Sequence, residues 1–332
     1  MTEITYRQAA ARAIAEEMAR DQRVVLLGED VAAAGGVFKA TEGLLETFGP
    51  KRVRDTPISE QAIIGAAIGA SMSGLRPIAE LMFADFAGVA FDQIANQLAK
   101  YRYMTGGQVK VPLTIRLVGG AGIGFGAQHS QATENWFLNI PGLQIAVPGT
   151  PADLVGLLKT AIRSDDPVLV FEHKALYTLK GDVPDGEVLV PLGSATIVTE
   201  GHDLTILATQ VMRQRAQRAA ETLKARNVSA ELIDPRSLVP FDFDTVQRSV
   251  KKTGRILVVQ ESPFAGSWAA TIVGRLVTEC FDWLDAAPAV VCAPNTPIPF
   301  AESLERRWIP AEQDILQAAM QLVAGERAAM AT

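Results

Sequence analysis

The residue whose type and setting are best suited to chemistry is Glu60, which opens a run of small and apolar residues. Alanine, glycine and isoleucine dominate residues 61–71, and small side chains let a neighbouring backbone approach closely. A helix of this composition is predicted to be buried, together with the carboxyl group at its start. A buried acid without a partner tends to keep or share its proton. The alternative is a surface carboxylate that complements the helix dipole.

Apolar and aromatic side chains form a second candidate group, at the end of a predicted strand. Residues 80–86 read Glu-Leu-Met-Phe-Ala-Asp-Phe, and open parallel sheets bind ligands at the carboxyl ends of their strands. Met82 and Phe86 are therefore candidates to contact a flat ring. The alternative is that both are ordinary core residues.

A glycine-rich loop that ends in a histidine is the third candidate. Five glycines fall within residues 119–126, and His129 follows. So many glycines exclude a packed helix or strand and indicate either flexibility or positive φ angles. A histidine on such a loop can donate or accept a proton near neutral pH. The Gly-x-Gly-x-Gly spacing is only a weak match to a dinucleotide-binding loop, because no helix follows it directly.

No motif for holding a diphosphate accompanies these candidates. The sequence has no Gly-x-x-x-x-Gly-Lys-Ser/Thr loop and no cluster of Asp and Asn residues typical of a magnesium–diphosphate site. A pocket for a cofactor ring without a phosphate site is half of a cofactor site.

Short apolar segments alternate with helical segments along the chain, which predicts parallel sheets with helices on both faces. The predicted strands are 24–28, 77–81, 113–118, 144–147, 168–172, 204–208, 229–233, 256–260 and 289–292. The predicted helices are 7–20, 60–73, 87–102, 151–164, 214–226, 243–251, 267–280 and 312–323. A polar, turn-rich stretch near residue 185 separates two predicted domains, 1–190 and 191–332. The alanine-rich end, 328–332, is predicted to fray.

Bulk composition excludes several classes of protein. The 332 residues suffice for two domains, and a net charge of −6 argues against binding to nucleic acid or to an anionic membrane. No apolar run reaches the roughly 18 residues that span a bilayer, and the first residues lack the regions of a signal peptide. Two cysteines are too few for a disulfide framework or a cysteine metal site. We expect a cytoplasmic protein.

Further motifs lie around these candidates: Pro-Ile-Ser-Glu at 57–60, Gly-Leu-Arg-Pro at 74–77, Ala-Gln-His-Ser-Gln at 127–131 and Pro-Arg-Ser-Leu-Val-Pro at 235–240. Together they resemble the beta subunit of the thiamine-diphosphate-dependent decarboxylating component of 2-oxoacid dehydrogenase complexes, over nearly the whole chain. Segments 80–88, 172–177 and 293–300 are most similar to acetoin dehydrogenase beta subunits, with the pyruvate dehydrogenase type as a near relative. The resemblance implies an α/β fold of two doubly wound domains. A transketolase-like pyrimidine-binding domain would precede a transketolase C-terminal-type domain for assembly and dimerisation.

The resemblance also implies a role for each candidate residue. The beta subunit would hold the aminopyrimidine ring of thiamine diphosphate, with Glu60 hydrogen-bonded to a ring nitrogen so that the imino form activates the cofactor. Phe86 would stack on the ring, and Met82 and Ile58 would line its pocket. His129 would face the substrate and the incoming lipoyl group, and would transfer protons during acylation.

Partners and ions are implied in the same way. The alpha subunit would bind magnesium and the diphosphate in an assembly of two alpha and two beta chains, and the acyl group would pass to a lipoyl-bearing transacylase. Glu29 matches an acid that lies in a channel between paired active sites; the alternative is a solvated acid after a strand. A potassium site built mainly from main-chain carbonyl groups maps to Leu113, Ala161, Ile162, Ser164 and Asp166.

Three hypotheses about function follow. The first is an enzyme subunit that, with an alpha partner, cleaves acetoin or decarboxylates pyruvate or a branched-chain 2-oxoacid. The second is a non-catalytic assembly module. The third, a self-sufficient transketolase-like enzyme, is disfavoured by the missing metal–diphosphate motif. The sequence leaves the substrate open, because the resemblance assigns part of the substrate pocket to the alpha subunit.

Overall fold

The computed structural model describes residues 1–325 and separates into two compact units. The first unit contains residues 1–120 and 136–192, and the second contains residues 121–135 and the chain from Gly193 onward. The glycine-rich loop therefore packs, from Ala121 onward, within the second unit. The sequence-based division between residues 190 and 191 stays a prediction. The alanine-rich end at 328–332 lies outside the described residues.

The first unit begins with a strand and then alternates helices with strands. Its strands are β1 (Thr2–Thr5), β2 (Val24–Gly28), β3 (Val53–Asp55), β4 (Arg76–Leu81), β5 (Thr114–Gly119), β6 (Gln144–Ala146), β7 (Val168–His173) and β8 (Lys180–Val183). Its helices are α1 (Tyr6–Arg20), α2 (Leu44–Phe48), α3 (Glu60–Met72), α4 (Tyr101–Met104) and α5 (Pro151–Arg163). Tighter or wider helical turns cover Ala84–Gly88, Gln93–Leu98 and Lys174–Leu176.

The parallel strands of this unit lie side by side in the order β6, β7, β5, β4, β2, β3. β1 and β8 pair with each other in antiparallel fashion. Every residue of β5 and β7 is buried, and strands buried on both faces form apolar runs without alternation. The prediction of a parallel sheet from such runs is confirmed.

The single helix predicted over residues 87–102 is wrong in its continuity, although much of the segment is helical. The segment contains the end of a 3₁₀ turn, a π-helical turn and the start of the short α4. Contacts with a distant segment accompany the interruption: Lys100 Nζ donates to the carbonyl oxygen of Pro141 at 2.8 Å. The backbone of Gly142 approaches Ala99 so closely that an added Cβ would lie 2.0 Å from the Ala99 carbonyl oxygen. Local periodicity cannot reveal contacts of this kind.

One buried arginine links three neighbouring strands of the sheet. Arg116 on β5 is 0% exposed. Its Nε and Nη2 donate to the Glu172 carboxylate on β7 at 2.6 and 2.9 Å, and its Nη1 donates to Glu80 on β4. The parallel register places Glu80 opposite Arg116, and the Tyr177 hydroxyl donates to Glu172 at 3.0 Å. The side chains of neighbouring strands are thereby joined at the carboxyl-terminal side of the sheet.

Burial and charge act in opposite directions within this network. Burial raises the pKa of the Glu80 carboxyl, although the Arg116 charge lowers it. Burial also disfavours the charged form of Arg116, but the charges of Glu172 and then Glu80 outweigh it and raise the pKa of Arg116. The guanidinium therefore stays charged and the two carboxylates depend on it.

The second unit has a mixed sheet. Its strands are β9 (Thr196–Thr199), β10 (Leu204–Ala208), β11 (Ala230–Asp234), β12 (Ser237–Val239), β13 (Ile256–Pro263) and β14 (Ala289–Ala293). Its helices are α6 (Gln210–Ala225), α7 (Phe243–Thr253), α8 (Trp268–Cys280), α9 (Glu302–Trp308) and α10 (Glu312–Val323), and a 3₁₀ turn covers Phe281–Trp283. The sheet contains five of these strands, without β12, in the order β14, β13, β10, β11, β9; β9 is antiparallel to β11 and the other pairs are parallel. Ala121 belongs to the apolar core of this unit, with Leu257 and Val291.

Replacing Arg116 by methionine is expected to destabilise the protein strongly, because Glu80 and Glu172 would stay buried without a counter-charge. Removing one partner of a buried ion pair costs about 3–5 kcal/mol. Arg306→Met is the matched control, since Arg306 and its partner Glu302 are both exposed and such pairs contribute less than about 1 kcal/mol. Urea denaturation midpoints measure the difference. Equal midpoints for the two variants would contradict the structural role of Arg116.

Candidate active site

Glu60 is the first residue of α3, and its carboxyl group is buried. The residue is only 7% exposed, which excludes the alternative of a solvated surface acid. Ser59 provides no side-chain cap, so the N–H groups of the first turn create a positive field at this carboxyl group. Within the described part of the chain, the Glu60 side chain has no hydrogen bond or ion pair. A buried acid in this state is suited to share a proton with a base that enters from outside.

The remainder of α3 is not buried as a whole. Its isoleucines Ile63, Ile64 and Ile68 are buried, whereas Ala62, Ala66 and Gly69 are exposed. The prediction of a wholly buried helix is therefore wrong for this chain by itself. The apolar residues follow helical spacing onto the core side, and the small residues form the outward face.

Glu29 follows β2 directly and is also buried, at 9% exposed. Burial raises the pKa of its carboxyl, and the negative charges of Glu60 and Asp30 raise it further. The structure thus brings Glu29 and Glu60 into one acidic pair and excludes the alternative that Glu29 is a solvated acid.

The aromatic residues after β4 form an ordered chain of rings. Phe86 meets Phe83 edge to face with ring centroids 6.0 Å apart, and Phe83 meets Phe38 in the same way at 6.0 Å. Phe83 is buried, but Phe86 and Met82 are only partly buried. The two candidates therefore keep surface available to a ligand. Ile58 is 82% exposed, and its place in the pocket wall stays a prediction.

The glycine-rich loop has the backbone that its composition predicts. Gly120, Gly122, Gly124 and Gly126 all have positive φ angles, between +72° and +107°, which glycine adopts without strain. Gly120 is needed for a second reason, since an added Cβ would lie 2.2 Å from Nε2 of the buried His173. His129 is partly buried and belongs to the second unit.

Two buried carboxylates that were not predicted from the sequence hold the start of this loop. Glu261 on β13 accepts a hydrogen bond from the Ala121 N–H at 2.7 Å. Glu305 on α9 accepts from the Gly122 N–H at 2.8 Å and from the Gly124 N–H at 3.0 Å. Glu261 is 7% and Glu305 2% exposed. The available signal was weak: Glu261 follows an apolar strand, but nothing local distinguishes Glu305 from its exposed neighbour Glu302.

A third buried acid follows the loop. Glu134 is 7% exposed. Burial raises the pKa of its carboxyl to about 7, a hydrogen bond to its own backbone lowers it, and the Glu261 charge adds to the rise. The neighbouring Asn135 holds this segment in place, because its amide donates to Ser262 Oγ at 2.7 Å and accepts from the Trp268 N–H at 2.8 Å.

The predicted potassium ligands are engaged in hydrogen bonds within the first unit. The carbonyl oxygens of Leu113 and Ala161 accept from Val168 N and Ser164 N at 3.0 and 3.1 Å. Arg76 Nη1 donates to the carbonyl oxygens of Ile162 and Ser164 at 3.1 and 2.9 Å. The Asp166 side chain pairs with Arg102. The binding of potassium by this segment stays a prediction.

Two features are absent from residues 1–325. No group of three or more His, Cys, Asp or Glu side chains is arranged to hold a metal ion. No helix there is long and apolar enough to cross a membrane.

Comparison with known families supports the two-part organisation. The family model described as "Transketolase, pyrimidine binding domain" matches residues 2–180, and "Transketolase, C-terminal domain" matches residues 193–315. The acetoin:2,6-dichlorophenolindophenol oxidoreductase subunit beta of Cupriavidus necator is 46% identical, with 97% of this chain and 98% of that protein covered. The chain belongs to the family of acetoin and 2-oxoacid dehydrogenase beta subunits.

Other members of this family are nearly as similar. The pyruvate dehydrogenase E1 component subunit beta of Rickettsia felis is 43% identical, covering 95% of this chain and 97% of that protein. The 2-oxoisovalerate dehydrogenase subunit beta of Bacillus subtilis is 42% identical, covering 98% and 99%. A solved structure titled "Split gene transketolase, inactive beta4 tetramer" matches with a TM-score of 0.79 at 25% identity, covering 98% and 99%. The resemblance and the fold class inferred from sequence motifs are confirmed.

In this dehydrogenase beta subunit, Glu134→Gln is expected to increase stability at alkaline relative to acidic pH. The pKa of this carboxyl is about 7 in the folded protein, against an ordinary value of 4.5. The free energy of unfolding therefore falls as pH rises from about 4.5 to 7, because the unfolded chain loses this proton first. A glutamine does not titrate, so this loss is absent from the variant. The free energy of unfolding of the variant, relative to that of wild type, should rise by about 2–3 kcal/mol between pH 5 and pH 8. Denaturant titrations at both pH values measure it.

Glu221→Gln is the control for this comparison, because Glu221 is an exposed acid on α6. It is expected to give the same difference from wild type at both pH values. A Glu134→Gln variant that behaves like this control would show that Glu134 titrates normally.

Proposed function

We propose that this chain is the beta subunit of a thiamine-diphosphate-dependent dehydrogenase component that acts on acetoin. The observation that carries the proposal is the buried, internally unpartnered carboxyl group of Glu60 within the segment that matches the pyrimidine-binding model. Relatives named for acetoin stand at 46% and 44% identity, which favours acetoin. Pyruvate and branched-chain 2-oxoacids are the alternative substrates.

The residues of the first unit fit an aminopyrimidine ring. Phe86 and Met82 offer partly exposed aromatic and thioether surface directly after β4, where open parallel sheets bind ligands. The edge-to-face contact with Phe83 fixes the orientation of the Phe86 ring. Glu60 would supply the polar contact that fixes the ring's orientation, and Ile58 would cover the ring from the segment before α3.

Glu60 would control a proton at the ring. Its carboxyl group would share a proton with a pyrimidine nitrogen, and burial would prevent water from competing for that bond. Glu29, whose pKa is raised by burial and by the Glu60 charge, keeps its own proton to higher pH and so limits repulsion within the pair. When bound, thiamine diphosphate supplies the nucleophilic carbon that cleaves the carbon–carbon bond of the substrate.

His129 would act on the substrate side of the reaction. An imidazole changes its charge near neutral pH, so it can give a proton to a developing oxyanion or take one from an incoming thiol. We assign it to proton transfer while the acyl group passes to a lipoyl group on the transacylase.

We expect the protein to have the same partner subunits as other members of the family. An alpha subunit would hold magnesium and the diphosphate, and two alpha and two beta chains would form the active heterotetramer in the cytoplasm. Residues 1–190 would carry the pyrimidine site, and residues 191–332 would serve assembly and dimerisation.

Glu60→Gln in the assembled alpha–beta complex is expected to lower the rate of acetoin-dependent dye reduction by about 10²–10⁴-fold, because an amide cannot share a proton in the same way. Glu46→Gln is the matched control, since Glu46 also lies in the first turn of a helix but is exposed. Size-exclusion chromatography checks that both variants assemble. Assays with acetoin, pyruvate and 3-methyl-2-oxobutanoate establish the preferred substrate, which we expect to be acetoin. A fully active Glu60→Gln complex would refute the proposal.

His129→Ala is expected to separate catalysis from assembly. The variant complex should form normally but should acylate a lipoyl domain about 10²-fold more slowly or worse, because the proton transfer loses its group. His202→Ala is the control, since His202 is exposed and belongs to the same unit. If His129→Ala weakens only assembly, or has no effect, the chain behaves as a non-catalytic assembly module.

A further inference from the structure

The carboxylate of Glu305 combines nearly complete burial with an unusual set of partners. It is 2% exposed, and within the described residues it has no ion pair. Its two oxygens accept hydrogen bonds from backbone N–H groups, Oε1 from Gly122 and Oε2 from Gly124. A buried carboxylate is costly unless it is fully hydrogen-bonded, and charge-assisted bonds of this kind are about twice as strong as neutral ones.

The two N–H groups bound by Glu305 belong to glycines with positive φ angles. Gly122 has φ +107° and Gly124 has φ +75°, and glycine adopts many other conformations as readily. Composition alone therefore does not select this loop conformation. Binding to the Glu305 carboxylate favours this conformation, because the loop must turn both N–H groups to one side to reach the two oxygens.

Other contacts within the second unit hold the loop on either side of His129. Phe300 packs against Gly126, where an added Cβ would lie 3.4 Å from the Phe300 ring. Asn135 bridges Ser262 and the Trp268 N–H beyond the loop. Between these points lies Ser130, which is 1% exposed. His129 is thus carried on a segment held at both ends, and Glu305 holds its most glycine-rich part.

We propose that Glu305 is a positioning residue for His129: by fixing the N–H groups of Gly122 and Gly124, it holds the glycine-rich loop in the conformation that acyl transfer needs. The inference rests on the proposed role of His129 in that transfer. Glu305 itself takes no part in the chemistry, since its oxygens are occupied by the backbone.

Glu305→Gln tests the inference with little change in volume. A glutamine offers one acceptor oxygen, and its NH₂ group would face the second N–H donor, so one of the two bonds must be lost. Glu305→Ala removes both. Glu302→Gln is the matched control, because Glu302 lies on the same helix with its side chain 73% exposed.

The first readout is hydrogen exchange of the loop in the assembled alpha–beta complex. We expect the peptide that contains Gly122 and Gly124 to exchange at least about tenfold faster in Glu305→Gln than in wild type, since a charged hydrogen bond contributes about 1.5–3 kcal/mol. The Glu302→Gln control should match wild type. Unchanged exchange in both Glu305 variants would overturn the inference.

The second readout compares the effect of the substitution on lipoyl acylation with its effect on dye reduction. We expect kcat for lipoyl acylation to fall about tenfold or more in Glu305→Gln, with KM for the lipoyl domain and dye reduction within about twofold of wild type. Faster exchange with unchanged acylation would also overturn the positioning role. Loss of acylation in wild type itself would instead refute the proposed function, so the two failures are distinguishable.

Discussion

The first unit depends on one buried guanidinium. Arg116 lies between Glu80 and Glu172 on the two neighbouring strands, and this arrangement exists only in one register of β4, β5 and β7. A shift of one residue would turn these side chains to the other face and leave three charges buried apart. The turn that carries Phe86 starts three residues beyond the end of β4 at Leu81, so the position of the aromatic chain follows from the register that the charges specify.

In the second unit, buried carboxylates are bound by backbone N–H groups, whereas in the first unit they are bound by a buried arginine. Glu261 and Glu305 bind the N–H groups of Ala121, Gly122 and Gly124, which gives a loop without regular structure a defined set of hydrogen bonds. Positive φ angles at alternate glycines direct these groups toward the carboxylates. The glycines allow the loop many conformations, and the two carboxylates restrict it to one. The glycines are evident in the sequence, whereas the carboxylates that bind them are not.

Most of the fold was predictable because it depends on local apolar patterns. β2 and β10 have the predicted bounds, and α10 begins and ends as predicted. The short strands β1, β3, β8, β9 and β12 escaped detection, since three or four residues carry little pattern of their own. Glu60, Phe86 and His129 were proposed as site residues from residue type and motif, and their roles stay predictions. Arg116 was detectable as the single charge in the run 113–118, whereas its two partners lie 36 and 56 residues away and only folding brings them together.

The partners of each buried acid decide what it can do. Glu80 and Glu172 are committed to Arg116, and Glu305 is committed to two backbone N–H groups; none of them is available to a ligand. Glu60 is equally buried but has no hydrogen bond or ion pair in the described part of the chain, and its one electrostatic neighbour of note, Glu29, is repulsive. Folded proteins seldom leave a buried carboxyl group without a hydrogen-bond partner, and such groups cluster where ligands bind. The contrast with Glu80, Glu172 and Glu305, rather than the burial of Glu60 alone, supports the proposal that Glu60 contacts a ligand.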